Sequence, residues 1–160
     1  CHTTEEAWQL ISSKSLESVH LKTIIDVDKQ WNNKKLLDKW TKIKKIRRSI
    51  NSALEGARNQ KKIGTGLEAK IIISVKDESI IELVKSIDMK QVCLISEYSL
   101  IYYNEKAPTK FLTFFFNEPE EIKIWVYKTT FKKCLRCWQY KEEVSMPKEL
   151  CNRCLNVIEK

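Results

Sequence analysis

The sequence predicts an α+β chain. A helical N-terminal segment ends in a long basic amphipathic helix, a small mixed sheet with one helix follows, and a ribbon or knuckle gathered by four cysteines closes the chain. Three observations carry this reading. Across Lys34 to Lys61, apolar residues recur at three- and four-residue spacing, the period of a helix with one buried face. Beyond Gly64 the period shortens to two, which is the period of strands. Near the end, Cys134 and Cys137 are followed by Cys151 and Cys154, two Cys-x-x-Cys pairs with 13 residues between them.

The 160 residues suffice for one mid-sized domain or two small ones, and with 42% hydrophobic and 31% charged residues a packed core is expected rather than wholesale disorder. The chain opens on Cys1 rather than Met, so a piece of a larger protein is expected. The strongest apolar run, Phe111 to Phe116, falls far short of the roughly 20 residues that cross a bilayer, and no signal-peptide pattern stands at the front. The expectation is a cytoplasmic monomer with no membrane partner. Net charge is +8 and unevenly placed. Between Lys34 and Lys62, eleven basic residues face only Asp38 and Glu55, leaving +9 there and −1 for everything else. Such a field suits a polyanion whose counterions are released on contact, although a solvated helix face has the same composition.

Element by element, Thr3 with Glu6 reads as a capping box that starts a short helix through Ala7, Trp8, Leu10 and Ile11. An extended loop with Val19, Leu21 and Ile24 to Val27 leads to the long helix, whose stripe is Leu36, Trp40, Ile43, Ile50 and Leu54, with Ile46, Ala53 and Ala57 on its flank. Arg47 falls in the middle of that stripe, between Ile43 and Ile50. It either snorkels or pairs with a carboxylate, or it passes the seam and grips a phosphate. Lys44, Lys45 and Arg48 share the outer face and are the stronger candidates for phosphate contacts. Gly64-Thr65-Gly66 stops the helix. Ala69 to Val75 reads as a strand, Glu78 to Ile87 as a helix, and Val92 to Ser96, Leu100 to Tyr103, Phe111 to Phe116 and Ile122 to Tyr127 as further strands. Cys93 is expected as a core residue inside one of them, and no catalytic constellation occurs in this stretch.

The two cysteine pairs match a tetrahedral four-thiolate Zn2+ site, because two intervening residues let a tight turn aim both sulfurs at one ion. Disulfides or a redox Cys-x-x-Cys are the competing reading. With all four positions filled by sulfur no activated water fits, so the zinc is structural. It would supply roughly 10 kcal/mol or more of apparent stabilisation to a tail too short to build its own core. Lys132, Lys133, Arg136, Lys148 and Arg153 flank the pairs and can offset the thiolate charge. Trp138 is either a platform for an unpaired base or the core of the ribbon.

Three segments together resemble the end of bacterial-type isoleucyl-tRNA synthetase: His2-Thr-Thr-Glu-Glu-Ala-Trp8, Ile46-Arg-Arg-Ser-Ile-Asn-Ser-Ala-Leu-Glu-Gly-Ala-Arg58 with Lys62-Ile-Gly-Thr-Gly-Leu-Glu-Ala69, and Lys133-Cys-Leu-Arg-Cys-Trp138 with Leu150-Cys-Asn-Arg-Cys154. The resemblance implies that 1–63 ends a helical anticodon-binding domain, 64–131 is a small α/β junction domain and 132–160 is a zinc-binding domain. It implies tRNA with an isoleucine anticodon as partner, with Arg136 and Trp138 facing the anticodon loop and Lys44, Lys45, Arg47 and Arg48 as further RNA contacts. The rest of a synthetase chain would be the other partner. ATP would be used only in that missing catalytic part, since neither ATP-site signature nor an editing domain occurs here. Two rivals remain at this point: a DNA-binding zinc module of the kind that ends certain base-excision glycosylases, and a purely structural zinc cap.

Overall fold

The computed structural model describes residues 2–11, 17–24, 26–103, 106, 108–119, 121–144 and 147–159; Cys1, Ile25 and Met146 lie outside them. The chain divides into two compact units, Cys1–Lys34 and Lys35–Lys160.

In the first unit α1 spans His2–Ile11. Thr3 lies inside this helix, so it does not cap it. The acid that makes contacts is Glu5, not Glu6: its carboxylate accepts from Ser18 Oγ at 2.8 Å and from the Val19 amide at 3.0 Å. The expected extended loop contains two tight 3-10 turns, Val19–Leu21 and Lys29–Trp31. Ser18 and Asp28 cap them through their side chains. Short polar residues bond their own backbone two residues on, and that local chemistry prevails over β-branched composition here.

The long helix α2 runs Lys34–Asn59 and buries Ile43, Ile46, Ser49, Ile50, Ala53, Leu54 and Ala57. At about 100° per residue this face centres on Ile46 and Ala57. The residues expected on the flank are therefore the middle of the stripe. Arg47 then falls on its edge and is exposed, and Leu36 and Trp40 are also exposed. The small side chains decide the rotation, because Ala53, Ala57 and Gly56 let the helix approach the sheet closely: Gly56 packs against Thr113.

The helix does not stop on its glycines. The Lys62 amide donates to Ala57 O at 3.0 Å and the Lys61 amide to Arg58 O at 2.7 Å, the pair of bonds of a Schellman stop. Lys61 holds the left-handed position at φ 54°, where glycine is usual, and no glycine in the chain has positive φ. Gly66 is required for another reason: a Cβ there would lie 2.8 Å from Leu94 O.

Strands β1 (Ala69–Val75), β2 (Glu97–Tyr102), β3 (Thr113–Asn117) and β4 (Ile122–Lys128) form one mixed sheet in the order β2-β1-β4-β3. β1 and β2 are parallel and the other pairs antiparallel. The register sets Ile71, Ile73 and Val75 opposite Val126, Ile124 and Ile122, one continuous apolar face. The buried side of α2 packs into the same core. Two polar contacts fix the helix over the edge strand: Thr113 Oγ1 donates to Ala53 O at 3.0 Å and Asn117 Nδ2 to Ser49 Oγ at 2.8 Å.

The β1–β2 crossover carries the expected helix, α3 (Glu78–Lys85), and then a short helix, α4 (Met89–Cys93). The expected strand Val92 to Ser96 is thereby overturned. Asp88 caps α4, accepting from the Lys90 amide at 3.0 Å, and Leu94 ends it at φ 53°. A short apolar run does not distinguish strand from buried helix, and Asp88 was the unread start signal. Cys93 is a core residue as expected, but at a helix end; burial pushes its thiol up to about 11. No helix among the described residues is long and apolar enough to cross a membrane.

Candidate metal centre

The hairpin of β5 (Lys132–Lys133) and β6 (Tyr140–Lys141) carries the first cysteine pair between its strands. The turn closes on itself: Trp138 N donates to Cys134 O at 2.8 Å and Cys134 N to Gln139 O at 2.9 Å. The second pair is not a matching knuckle. Cys151 is the N-cap of α5 (Asn152–Ile158), and Cys154 sits in that helix's first turn, with its amide bonded to Cys151 O at 2.9 Å. Helical spacing brings residues three apart onto one face, so α5 presents both sulfurs together.

The four Sγ atoms lie within 4.8 Å of one another. Cys137 and Cys151 sulfurs are 3.7 Å apart, too far for a disulfide, and all four cysteines are free. A tetrahedron with Zn–S bonds of about 2.3 Å has edges of about 3.8 Å, so the cluster fits a Zn2+ ion. The Cys151 amide donates to Cys134 Sγ at 3.3 Å and Arg136 Nη1 to Cys154 Sγ at 3.8 Å. Burial pushes the Cys134 thiol up, but backbone amides of Cys137, Cys151 and Arg136 outweigh it and bring the thiol below its usual value. Cys154 is also lowered, with the Arg136 guanidinium overcoming burial. Arg153 is held more strongly cationic by its bond to Cys137. Thus Arg136 on the hairpin turn and Arg153 on α5 face the sulfurs of Cys154 and Cys137, while burial pushes the Cys151 thiol up to about 11. Around the sulfurs, Val144 and Leu150 supply a small apolar core separate from that of the sheet.

Trp138 is not part of that core. It stands 64% exposed, its backbone is left-handed at φ 63°, and the Lys133 ammonium lies 5.2 Å from its ring. Arg136 is exposed beside it while bonding the cluster. Lys44, Lys45, Arg47 and Arg48 are all exposed, but on α2, a different element. The structure therefore gathers the cysteines, Arg136, Arg153, Lys133 and Trp138 at one end of the chain. Sequence reasoning missed the pairing of Lys133 with Trp138, which follows only from the hairpin.

Residues 131–157 match a family of zinc fingers found in FPG and IleRS. Over nearly its whole length the chain is similar to enzymes named isoleucine–tRNA ligase: 32% identical to that of Zymomonas mobilis over 99% of the chain, and 35% identical to that of Thermoanaerobacter pseudethanolicus over 98%. The chain is homologous to isoleucine–tRNA ligase. It spans 15% and 17% of the length of these two relatives. The similarity runs through the sheet region as well as the cysteine loops, so the junction between them is shared too. No ATP-site signature lies in this part.

Proposed function

We propose that the chain is the tRNA-binding C-terminal part of an isoleucine–tRNA ligase, recognising the anticodon loop of its tRNA. The parent enzyme joins isoleucine to that tRNA at the expense of ATP, in a catalytic region outside this chain, and works as a cytoplasmic monomer. On this reading 1–63 ends the helical anticodon-binding domain, 64–131 is the junction and 132–160 the zinc-binding domain.

One observation carries the proposal: Trp138. A large apolar ring in the left-handed region costs backbone energy that is ordinarily avoided by glycine. Here burial does not offset that cost, because the ring projects into solvent. An exposed aromatic held on a rigid turn, with an ammonium over its face, suits an unpaired base and the phosphate beside it. Arg136, with donors left after its bond to Cys154, adds a hydrogen-bonding fork at the same rim. When bound, Zn2+ gathers the four thiolates and fixes the turn that aims Trp138. Lys44, Lys45, Arg47 and Arg48 on α2 supply sequence-independent attraction to phosphates.

Competition binding tests the reading. The zinc-loaded chain should prefer a tRNA transcript with an isoleucine anticodon over duplex DNA of similar length. Equal affinity for the two favours the DNA-binding module, and no affinity for either favours a structural cap.

A further inference from the structure

Beyond the knuckle and the outer face of α2, a strongly basic concavity among the described residues follows the end of that helix. Two open depressions of about 780 and 440 Å3 share Arg58 and Gly64 and so form one strip. Arg47, Asn51 and Arg58 line its first lobe against the Gly64–Leu67 turn; Lys61, Lys62 and Lys128 line the second. We infer that this strip, from Arg47 past Arg58 and Lys61 to Lys128, binds the sugar–phosphate backbone of the RNA strand whose unpaired bases reach the knuckle. The inference rests on the RNA-binding reading above and adds Arg58, Lys61, Lys62 and Lys128 to the Arg47 that reading already uses.

Charge is the first argument. Two acids enter the strip, and each is answered: Glu55 by Arg58 at 2.9 Å, Glu68 by Lys128 at 3.7 Å. Lys62 Nζ donates to Leu112 O, an uncharged acceptor, at 3.1 Å. Arg47 in the first lobe and Lys61 and Lys62 in the second therefore remain as surplus positive charge, spaced so that successive phosphates of one strand can meet them in turn. Lys44, Lys45 and Arg48, on the outer face of α2, lack that geometry. The cations also continue along the chain: the Thr129 amide donates to Glu68 O at 2.8 Å, tying the segment after Lys128 to the strip's edge, and that segment leads through Lys132 to Lys133, whose ammonium lies against the Trp138 ring.

Backbone conformation is the second, independent argument. Lys61 occupies the left-handed stop of α2 at φ 54°. Glycine there would carry no Cβ penalty. A lysine at a helix C-terminus gains something from the helix dipole, but for an exposed side chain that gain is small and screened by salt. Lys61 thus keeps a cation on the rim of the basic groove at a position where glycine would be the less strained residue.

The test uses the zinc-loaded chain and an unmodified tRNA transcript with an isoleucine anticodon, titrated across salt. Removing one phosphate-binding cation should lower the slope of log affinity against log salt by about one. Lys61→Gly should lower it so while leaving the melting temperature unchanged or raised, and Lys62→Gln should do the same to the slope. Lys85→Gln, an exposed charge on α3, serves as the control and should leave the slope unaltered. If both groove variants match the control while Trp138→Ala still weakens binding, the strip is not an RNA contact although the knuckle is. If the unaltered chain binds no tRNA, both readings fall. An equal loss of duplex DNA and tRNA affinity in the groove variants makes the strip a general polyanion patch and also overturns the inference.

Discussion

Single residues bear the sharpest consequences where no other side chain fits. Gly66 is one. A methyl group there meets Leu94 O at 2.8 Å, backbone that has little room to withdraw because Leu94 ends α4. Gly66→Ala should therefore destabilise the sheet unit by about 1–3 kcal/mol, read as a lower urea midpoint at unchanged slope. Trp138 is the opposite case, a residue that costs stability where it stands. Trp138→Ala should weaken binding to an isoleucine-anticodon stem-loop roughly tenfold, the loss of about 1–3 kcal/mol of stacking, with stoichiometric zinc retained. Loss of zinc together with unfolding of the tail would instead return the ring to a structural role. Ile73, wholly buried at the centre of β1, should behave as an ordinary core residue: Ile73→Ala should cost about 2–5 kcal/mol in chemical denaturation.

At the scale of elements, the cysteine tail is a hairpin and a helix with almost no core of their own. Among the described residues, only Val144 and Leu150 pack among the sulfurs. The metal must therefore supply most of the free energy that orders residues 132–159. Cys151→Ser should abolish zinc binding, since it removes one of the four sulfurs while leaving a residue that can still cap α5. Metal analysis should show no zinc, while amide exchange in α2 and the sheet stays at the unaltered level. Retained stoichiometric zinc in that variant would contradict the four-thiolate assignment. The helix α2 gains its stability differently, through the sheet. Its seven buried positions and the Thr113 and Asn117 contacts do not depend on the metal.

For the chain as a whole, two apolar clusters that share no residue imply two steps of unfolding rather than one. A chelator under reducing conditions should melt the tail first and leave the cooperative transition of the sheet unit in place; a single transition that shifts as one with metal removal would show that the clusters are coupled. The charge distribution acts on the same scale. The segment between Lys34 and Lys62 carries +9 and the rest of the chain −1, so affinity for tRNA should fall steeply with salt.

How much of the molecule was legible in its sequence follows from which interactions are local. The four cysteines, α2, the strand Ala69–Val75 and the alternation of Ile122, Ile124 and Val126 could be read directly, because period and ligand spacing are properties of neighbouring residues. The failures have local causes too. Thr3 and Gly64 carried plausible cap signals that a neighbouring residue displaced, and the run around Val92 had no period to separate strand from helix. By itself the sequence determined the four-cysteine cluster, the basic helix and the α+β class, since each depends on spacing along the chain. Tertiary structure alone decided that Trp138 faces solvent, that Arg47 lies at the edge of its stripe rather than within it, and that Arg58, Lys61 and Lys128 share one groove. Those outcomes depend on which surfaces a helix and a hairpin bury against the sheet, a competition among distant residues that no periodicity records.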